Sequence, residues 1–188
     1  MTYLKSSLLI TLFIAKFSFG QKPVIGIKAG LALSNATIKP ANPDPYNPTV
    51  KTSTRIGVLG GVYVDIPSGK RIIFRPGIEV VSKGTIVDYP ILFTYVDFPL
   101  SILYKIKYAT GHFVAGGGPS IGVPITDSYS SYPLKTEFGV NGLIGYQLPI
   151  GFSLNLNYNY GLTDANKNNQ FISKISNRYL GITVGYSF

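Results

Sequence analysis

From Pro23 onward the chain alternates apolar and polar residues at every second position, the period of a strand with two unlike faces. Val24 to Ser34 predicts a first strand with Ile25, Ile27, Ala29, Leu31 and Leu33 on one face and Gly26, Lys28, Gly30, Ala32 and Ser34 on the other. Thr54 to Ile66 predicts a second, with Ile56, Val58, Val62, Val64 and Ile66 set against Arg55, Gly57, Gly61, Tyr63 and Asp65. A third follows Pro67-Ser68-Gly69, where Ile72, Phe74, Ile78 and Val80 oppose Arg75, Gly77, Glu79 and Lys83, and Pro76 predicts an irregularity or bulge. Leu92 to Lys105 is the clearest, with Val96, Phe98, Leu100, Ile102 and Tyr104 alternating against Tyr95, Asp97, Pro99, Ser101 and Lys105. Ala109 to Val123 predicts a fifth strand whose register is hidden by Gly116, Gly117 and Gly118. The sixth sets Phe138, Val140, Ile144, Tyr146 and Leu148 against Gly139, Asn141, Gly145 and Gln147. The seventh sets Phe152, Leu154, Leu156, Tyr158 and Tyr160 against Ser153, Asn155, Asn157, Asn159 and Gly161. The last sets Leu180, Ile182, Val184, Tyr186 and Phe188 against Tyr179, Gly181, Thr183, Gly185 and Ser187.

Connection lengths alternate as well. Short links fall at Pro67 to Gly69, Ile106 to Tyr108 and Pro149 to Gly151; long polar ones fall at Asn35 to Ser53, Gly84 to Ile91, Pro124 to Thr136 and Thr163 to Ser176. Transmembrane barrels show this asymmetry, with short periplasmic turns and longer extracellular loops, so both termini are expected on the periplasmic side. The first long loop carries Pro40, Pro43, Pro45 and Pro48 and is expected to be extended and non-helical.

Alternation alone fits a soluble barrel equally well, and residue volume decides between the two. The interior of an eight-stranded barrel is just wide enough for side chains to fill, which favours small residues inside. Here Gly, Ala, Ser and Asn share the polar face while most large Phe, Tyr, Ile and Leu residues share the other. The prediction is an all-β, eight-stranded antiparallel transmembrane barrel with bulky residues toward lipid and the polar face toward the lumen. Closure is required, because an open sheet edge in hydrocarbon leaves backbone groups unpaired at several kcal/mol each.

The lumen then holds Lys28, Arg55, Asp65, Arg75, Glu79, Lys83, Asp97 and Lys105, with both signs on adjacent strands. Buried charges are tolerated when paired, so Glu79 is expected to meet Arg75 and Lys105, and Asp97 to meet Arg55 or Lys83. Phe93, Tyr104, Phe152, Tyr160, Tyr186 and Phe188, toward strand ends, are expected at headgroup depth as aromatic girdles.

Composition agrees with this reading. Of 188 residues, 45% are hydrophobic and 13% charged, well below the ~25% charge of ordinary soluble domains. No linker or charge run divides residues 21 to 188, which are read as one barrel domain. Residues 1 to 20 begin with Lys5, run apolar from Leu8 to Ala15 and end Ser18-Phe19-Gly20, the pattern of a secretory signal peptide cleaved near Gly20. The absence of cysteine excludes a lipoprotein anchor, a disulfide framework and thiolate metal sites. Cleavage would remove Lys5 and Lys16 from the 17 Lys+Arg, leaving them still in excess over 8 Asp+Glu. These cations are scattered singly, which fits anionic lipid headgroups and lipopolysaccharide phosphates as partners and no nucleic acid.

Several short motifs taken together carry a family resemblance. They are Gly26-Ile27-Lys28-Ala29-Gly30-Leu31, Arg75-Pro76-Gly77-Ile78-Glu79 with Lys83-Gly84, Tyr95-Val96-Asp97-Phe98-Pro99-Leu100, Gly118-Pro119, Tyr160-Gly161-Leu162-Thr163 and the terminal Gly185-Tyr186-Ser187-Phe188. In this order they resemble the PorT-type outer-membrane β-barrel family. The resemblance implies a barrel in the outer membrane of a Gram-negative cell; the founding member takes part in a protein-secretion and gliding system, and the family shares no single activity. The aromatic ending at Tyr186 and Phe188 also resembles the C-terminal signal that hands bacterial barrels to their assembly machinery, though its glycine spacing is only partly reproduced.

Three functions follow as expectations. The first is a non-catalytic barrel that supports the envelope or presents loops to an envelope protein partner, with a secretion-system accessory as its specific form. The second is an enzyme acting on outer-membrane lipid, which needs a nucleophile and a base. His112 is the sole histidine and no Gly-x-Ser-x-Gly accompanies it, so no catalytic residue is assigned. The third is a narrow pore or small-molecule transporter, disfavoured by a filled lumen. The sequence carries no metal cluster, phosphate loop or cofactor signature.

Overall fold

The computed structural model describes residues 22–40, 42, 52–86, 90–127, 134–165 and 172–188. The signal-peptide segment and Pro43, Pro45 and Pro48 of the first long loop lie outside the described residues. Eight strands follow in order: β1 Val24–Pro40, β2 Arg55–Ser68, β3 Ile72–Ile86, β4 Pro90–Tyr108, β5 Gly111–Asp127, β6 Glu137–Gln147, β7 Phe152–Gly161 and β8 Ile172–Ser187. Each pairs antiparallel with its sequence neighbour, and β1 closes on β8 from Gly26↔Ser187 upward, so the sheet is a closed barrel. Every strand thereby has a partner on both sides, which is what hydrocarbon demands of a backbone.

The two faces fall where alternation places them. Ile27, Val58, Ile102, Ile144, Leu154 and Ile182 point outward and are 47–67% exposed, whereas Lys28, Glu79, Asp97, Ser101, Asn157 and Thr183 are buried inside. The glycine run of β5 does not disturb its register, which advances evenly from His112↔Gln147 to Gly122↔Glu137. Pro76 opens the ladder locally without inserting a residue: β2 and β3 pair at Tyr63↔Gly77 and again at Ile66↔Phe74 in the same register. A proline lacks the donor but keeps the strand path. The register shifts fall instead between Thr94 and Tyr95 against β5, and between Lys39 and Pro40 against β8. Two of the short turns rest on left-handed glycines, Gly69 at φ 78° and Gly151 at φ 92°, a conformation costly to any residue with a Cβ.

The strands are longer than the apolar alternation shows. β1 runs on past Ser34 to Pro40, β3 to Ile86 and β5 to Asp127, and β8 begins at Ile172, so parts of all four expected long loops are paired strand, as is the expected short link Ile106 to Tyr108, which belongs to β4. For β1 and β8 the reason is an inversion of polarity. Below Ser34 the outward residues are apolar; above it Asn35, Thr37 and Lys39 face outward opposite Arg178, Ser176 and Lys174, while Ala36, Ile38 and Ile175 turn inward and are buried. A strand leaving lipid for water must exchange its two faces, and the exchange disguises it from any search for one continuous face.

Phe93 corrects another expectation. It faces inward, 2% exposed, and packs with Ala32, Leu59, Val81, Tyr95 and Tyr179 in a buried apolar cluster. Tyr104, Phe152, Tyr160 and Phe188 do face outward, 39–73% exposed. The parity of β4 decides the difference, since Phe93 shares its face with Tyr95 and Asp97.

The inversion sets a prediction. Ile182→Arg, within the apolar band, should destabilise the barrel in lipid vesicles by about 2–4 kcal/mol in urea titration, whereas Thr37→Arg, above the exchange, should cost about 0–1 kcal/mol.

Candidate functional site

The centre of the lumen is a row of charges crossing six strands. In the pairing register Lys28 stands across from Gly61, Gly61 from Glu79, Glu79 from Asp97, Asp97 from Gly122 and Gly122 from Glu137. The two glycines make room for the charges beside them. A Cβ at Gly61 would meet the Ile78 carbonyl and Glu79 Cα and push the β3 backbone that carries Glu79, and one at Gly122 would meet Asp97 Oδ1 and displace that carboxylate. Across Gly61 the Lys28 ammonium reaches Glu79 Oε1 at 2.6 Å. Lys83 Nζ lies 2.9 Å from Asp97 and 3.9 Å from Glu137 Oε2, bridging both carboxylates.

Aromatic and amide groups complete this shell. The Lys83 ammonium sits 4.4 Å from the Tyr95 ring centroid and 5.4 Å from that of Tyr179, both within cation–π range. Asn177 donates from its backbone N–H and its Nδ2 to Glu137, each at 3.2 Å. Toward the short-turn end, Arg75 donates Nε and Nη2 to the two Asp65 oxygens at 2.5 and 2.7 Å, and its guanidinium stacks 4.3 Å from the Tyr63 centroid. Below them Ile73, Leu103, Val114 and Leu143 form a second buried apolar layer.

Six of the expected lumenal residues are therefore joined in pairs, although not all as expected. Asp97 takes Lys83 as predicted, but Arg75 takes Asp65 and Glu79 takes Lys28. Asp65 stands beside Arg75 on the adjacent strand, at a separation that suits a bidentate fork, whereas Glu79 lies four residues along the same strand, ~13 Å away. Lys105 is eight residues beyond the Asp97 position that faces Glu79, and instead lies at the short-turn mouth of the barrel. Arg55 donates to Ser82 Oγ at 3.0 Å, far from Asp97 along the wall. Glu137, Tyr95, Tyr179 and Asn177 belong to the network without having been assigned to it. Parity with Gly139 could have found Glu137; Asn177 fell between the expected loop, which ended at Ser176, and the first residues assigned to the last strand, although β8 already begins at Ile172.

The remaining lumen is filled by β7 amides, with Asn157 donating to Thr183 Oγ1 and Asn159 to Ser120 Oγ, both at 3.1 Å. What is left among the central residues is a cavity of about 20 Å³ bordered by Lys28, Arg75 and Glu79, roughly the space of one water. The geometry thus holds these charges in place. His112 lies at the foot of β5, opposite Lys107 and Gln147, with neither a serine nor a carboxylate hydrogen-bonded to it among the described residues.

Residues 19–167 match the family model described as outer membrane protein beta-barrel domain. The chain belongs to that family. A search of curated proteins finds no match. Among solved structures, the chain is similar in fold to Neisserial surface protein A, at TM-score 0.56 and 13% identity over 89% of this chain and 100% of that one. OprG from Pseudomonas aeruginosa gives TM-score 0.48 and 14% identity over 89% and 97%. Ail of Yersinia pestis gives 0.45 and 13% over 89% and 100%.

Like other members of this family, the chain is an outer-membrane barrel. Its C-terminal aromatic residues lie on the outer wall, where Tyr186 packs edge-on against Phe152 and Phe188, with centroids 5.1 Å apart in both cases. Phe188 N–H donates to Ile25 O at 2.9 Å, so the last residue helps fasten the closing seam.

Removing one member of a buried ion pair leaves an uncompensated charge at about 3–5 kcal/mol. Lys83→Met should therefore lower barrel stability by roughly that amount in urea titration. The combined Lys83→Met, Asp97→Asn, Glu137→Gln variant should recover most of the loss, because neutral partners need no counterion.

Proposed function

We propose that this barrel is a non-catalytic scaffold that holds its extracellular extensions and loops for an envelope partner. One observation carries the reading: a lumen packed shut by paired charges and two apolar layers sits beneath a β1–β8 extension that leaves the lipid band with a polar outer face. A filled interior spends its side chains on rigidity, and a rigid wall is what positions loops for recognition. The PorT-type resemblance supports the more specific form, an accessory to a protein-secretion system. Lys39, Lys174 and Arg178 stand just above the apolar band, at the depth of lipopolysaccharide phosphates, and these are the second partner we assign to the outer rim. The barrel assembly machinery is the partner during biogenesis, through Tyr186 and Phe188.

A photo-crosslinking residue at Thr37 or Ser176, on the outward face of the extension, should trap a discrete envelope protein or lipopolysaccharide in intact cells, while one at Leu156, inside the apolar band, should not. Purified protein in planar bilayers should show no steady conductance. A stable open channel would replace the scaffold reading with a pore.

A further inference from the structure

The periplasmic end of the wall carries a basic recess that the lumenal network does not use. The β2–β3 turn ends at Arg71, whose carbonyl accepts the Lys105 N–H at 2.7 Å, while the β4–β5 hairpin runs on through Tyr108 and Gly111. The longer hairpin overhangs the shorter turn, and the step between them is an open recess of about 720 Å³. Lys70 and Arg71 meet Lys105 and Lys107 there, and among the described residues no Asp or Glu lines it. Asp65, toward the same end of β2, is occupied by Arg75. Four cations gathered without a counterion raise the local positive potential and favour an anion from outside.

The recess has a second character that narrows the anion. Tyr104 and Ile106 also border it, and they face outward, 44% and 52% exposed. Ile72 and Ile102, 46% and 62% exposed, continue the same apolar track along the outer wall. Arg71 donates Nη1 to the Tyr104 hydroxyl at 2.9 Å, which fixes the guanidinium where the cationic and apolar surfaces meet. A free anion would use only the cations. An amphiphile with an anionic head and hydrocarbon tails uses both surfaces.

We propose that this recess binds an anionic phospholipid of the periplasmic leaflet, its phosphate held by Arg71, Lys70 and Lys107 and its chains lying along Ile72, Ile102 and Ile106. Arginine suits this role because its planar fork can donate to two phosphate oxygens at once. The assignment rests on the barrel spanning the membrane with its short turns on the periplasmic side. Lipopolysaccharide, in the opposite leaflet, is left to the cations of the other rim.

The test is native mass spectrometry of the full processed protein in detergent, offered phosphatidylglycerol and phosphatidylethanolamine at equal concentration. Phosphatidylglycerol should be retained in preference by about tenfold or more, and the triple variant K70Q/R71Q/K107Q should lose that preference. The rim variant K39Q/K174Q/R178Q should keep it. Heat-shifted electrophoretic mobility confirms that each variant is a folded barrel, and R71Q alone supplies the reading should the triple variant not fold. Equal retention of the two lipids, retention unchanged by the periplasmic substitutions, or loss in the rim variant would overturn the site. Displacement by millimolar inorganic phosphate would show a free-anion site and overturn the lipid assignment. A protein that stays soluble without detergent would instead refute the membrane-spanning reading itself.

Discussion

Hydrocarbon gives a backbone amide nothing to bond to, and every feature of this chain answers that constraint. Pairing β1 with β8 removes the last open edge, and the seam is among the longest in the barrel, from Gly26↔Ser187 to Lys39↔Lys174. Closure with eight strands then fixes the bore, and the bore fixes which residues fit inside. Glycine at Gly61 and Gly122 follows from that crowding, since Gly61 yields to the β3 backbone at Ile78 and Glu79, and Gly122 to the Asp97 carboxylate.

Charge inside so narrow a wall would be prohibitive unless compensated, and the compensation is built by register. A row of cross-strand neighbours brings Lys28, Glu79, Asp97 and Glu137 to one belt, with Lys83 bridging two of the carboxylates. Apolar layers close the belt from either side, around Tyr95 and Tyr179 above and around Leu103 below. The exterior is correspondingly simple: aliphatic in the middle, aromatic near the ends and cationic at both rims.

Much of this was legible in the residues. Period-two alternation located all eight strands and the faces of every one but the glycine-rich fifth, because lipid outside and a crowded lumen inside select opposite kinds of side chain at successive positions. Legibility failed where that selection changes. Past Ser34 the faces exchange, so Asn35 to Pro40 read as loop although it pairs with β8. Phe93 read as a girdle residue because its type suits the interface, whereas its parity turns it inward. Ion-pair partners were only partly legible: charges on one strand look near in sequence, but Arg75 takes Asp65 across the strands, and Lys28 reaches Glu79 over a glycine.

The central claim is that one face of the alternation meets hydrocarbon and the other a dry, packed lumen. Since the chain has no cysteine, single-cysteine spin labels can be placed along β7 without background. Power saturation in lipid bilayers, with oxygen and a water-soluble nickel chelate as relaxing agents, reads the environment at Leu154, Asn155, Leu156, Asn157 and Tyr158. The account predicts high oxygen and low nickel accessibility at Leu154, Leu156 and Tyr158, with both low at Asn155 and Asn157. Nickel access at the asparagines would show a water-filled bore, and low oxygen access at the leucines would show their face buried in protein; either result contradicts the account.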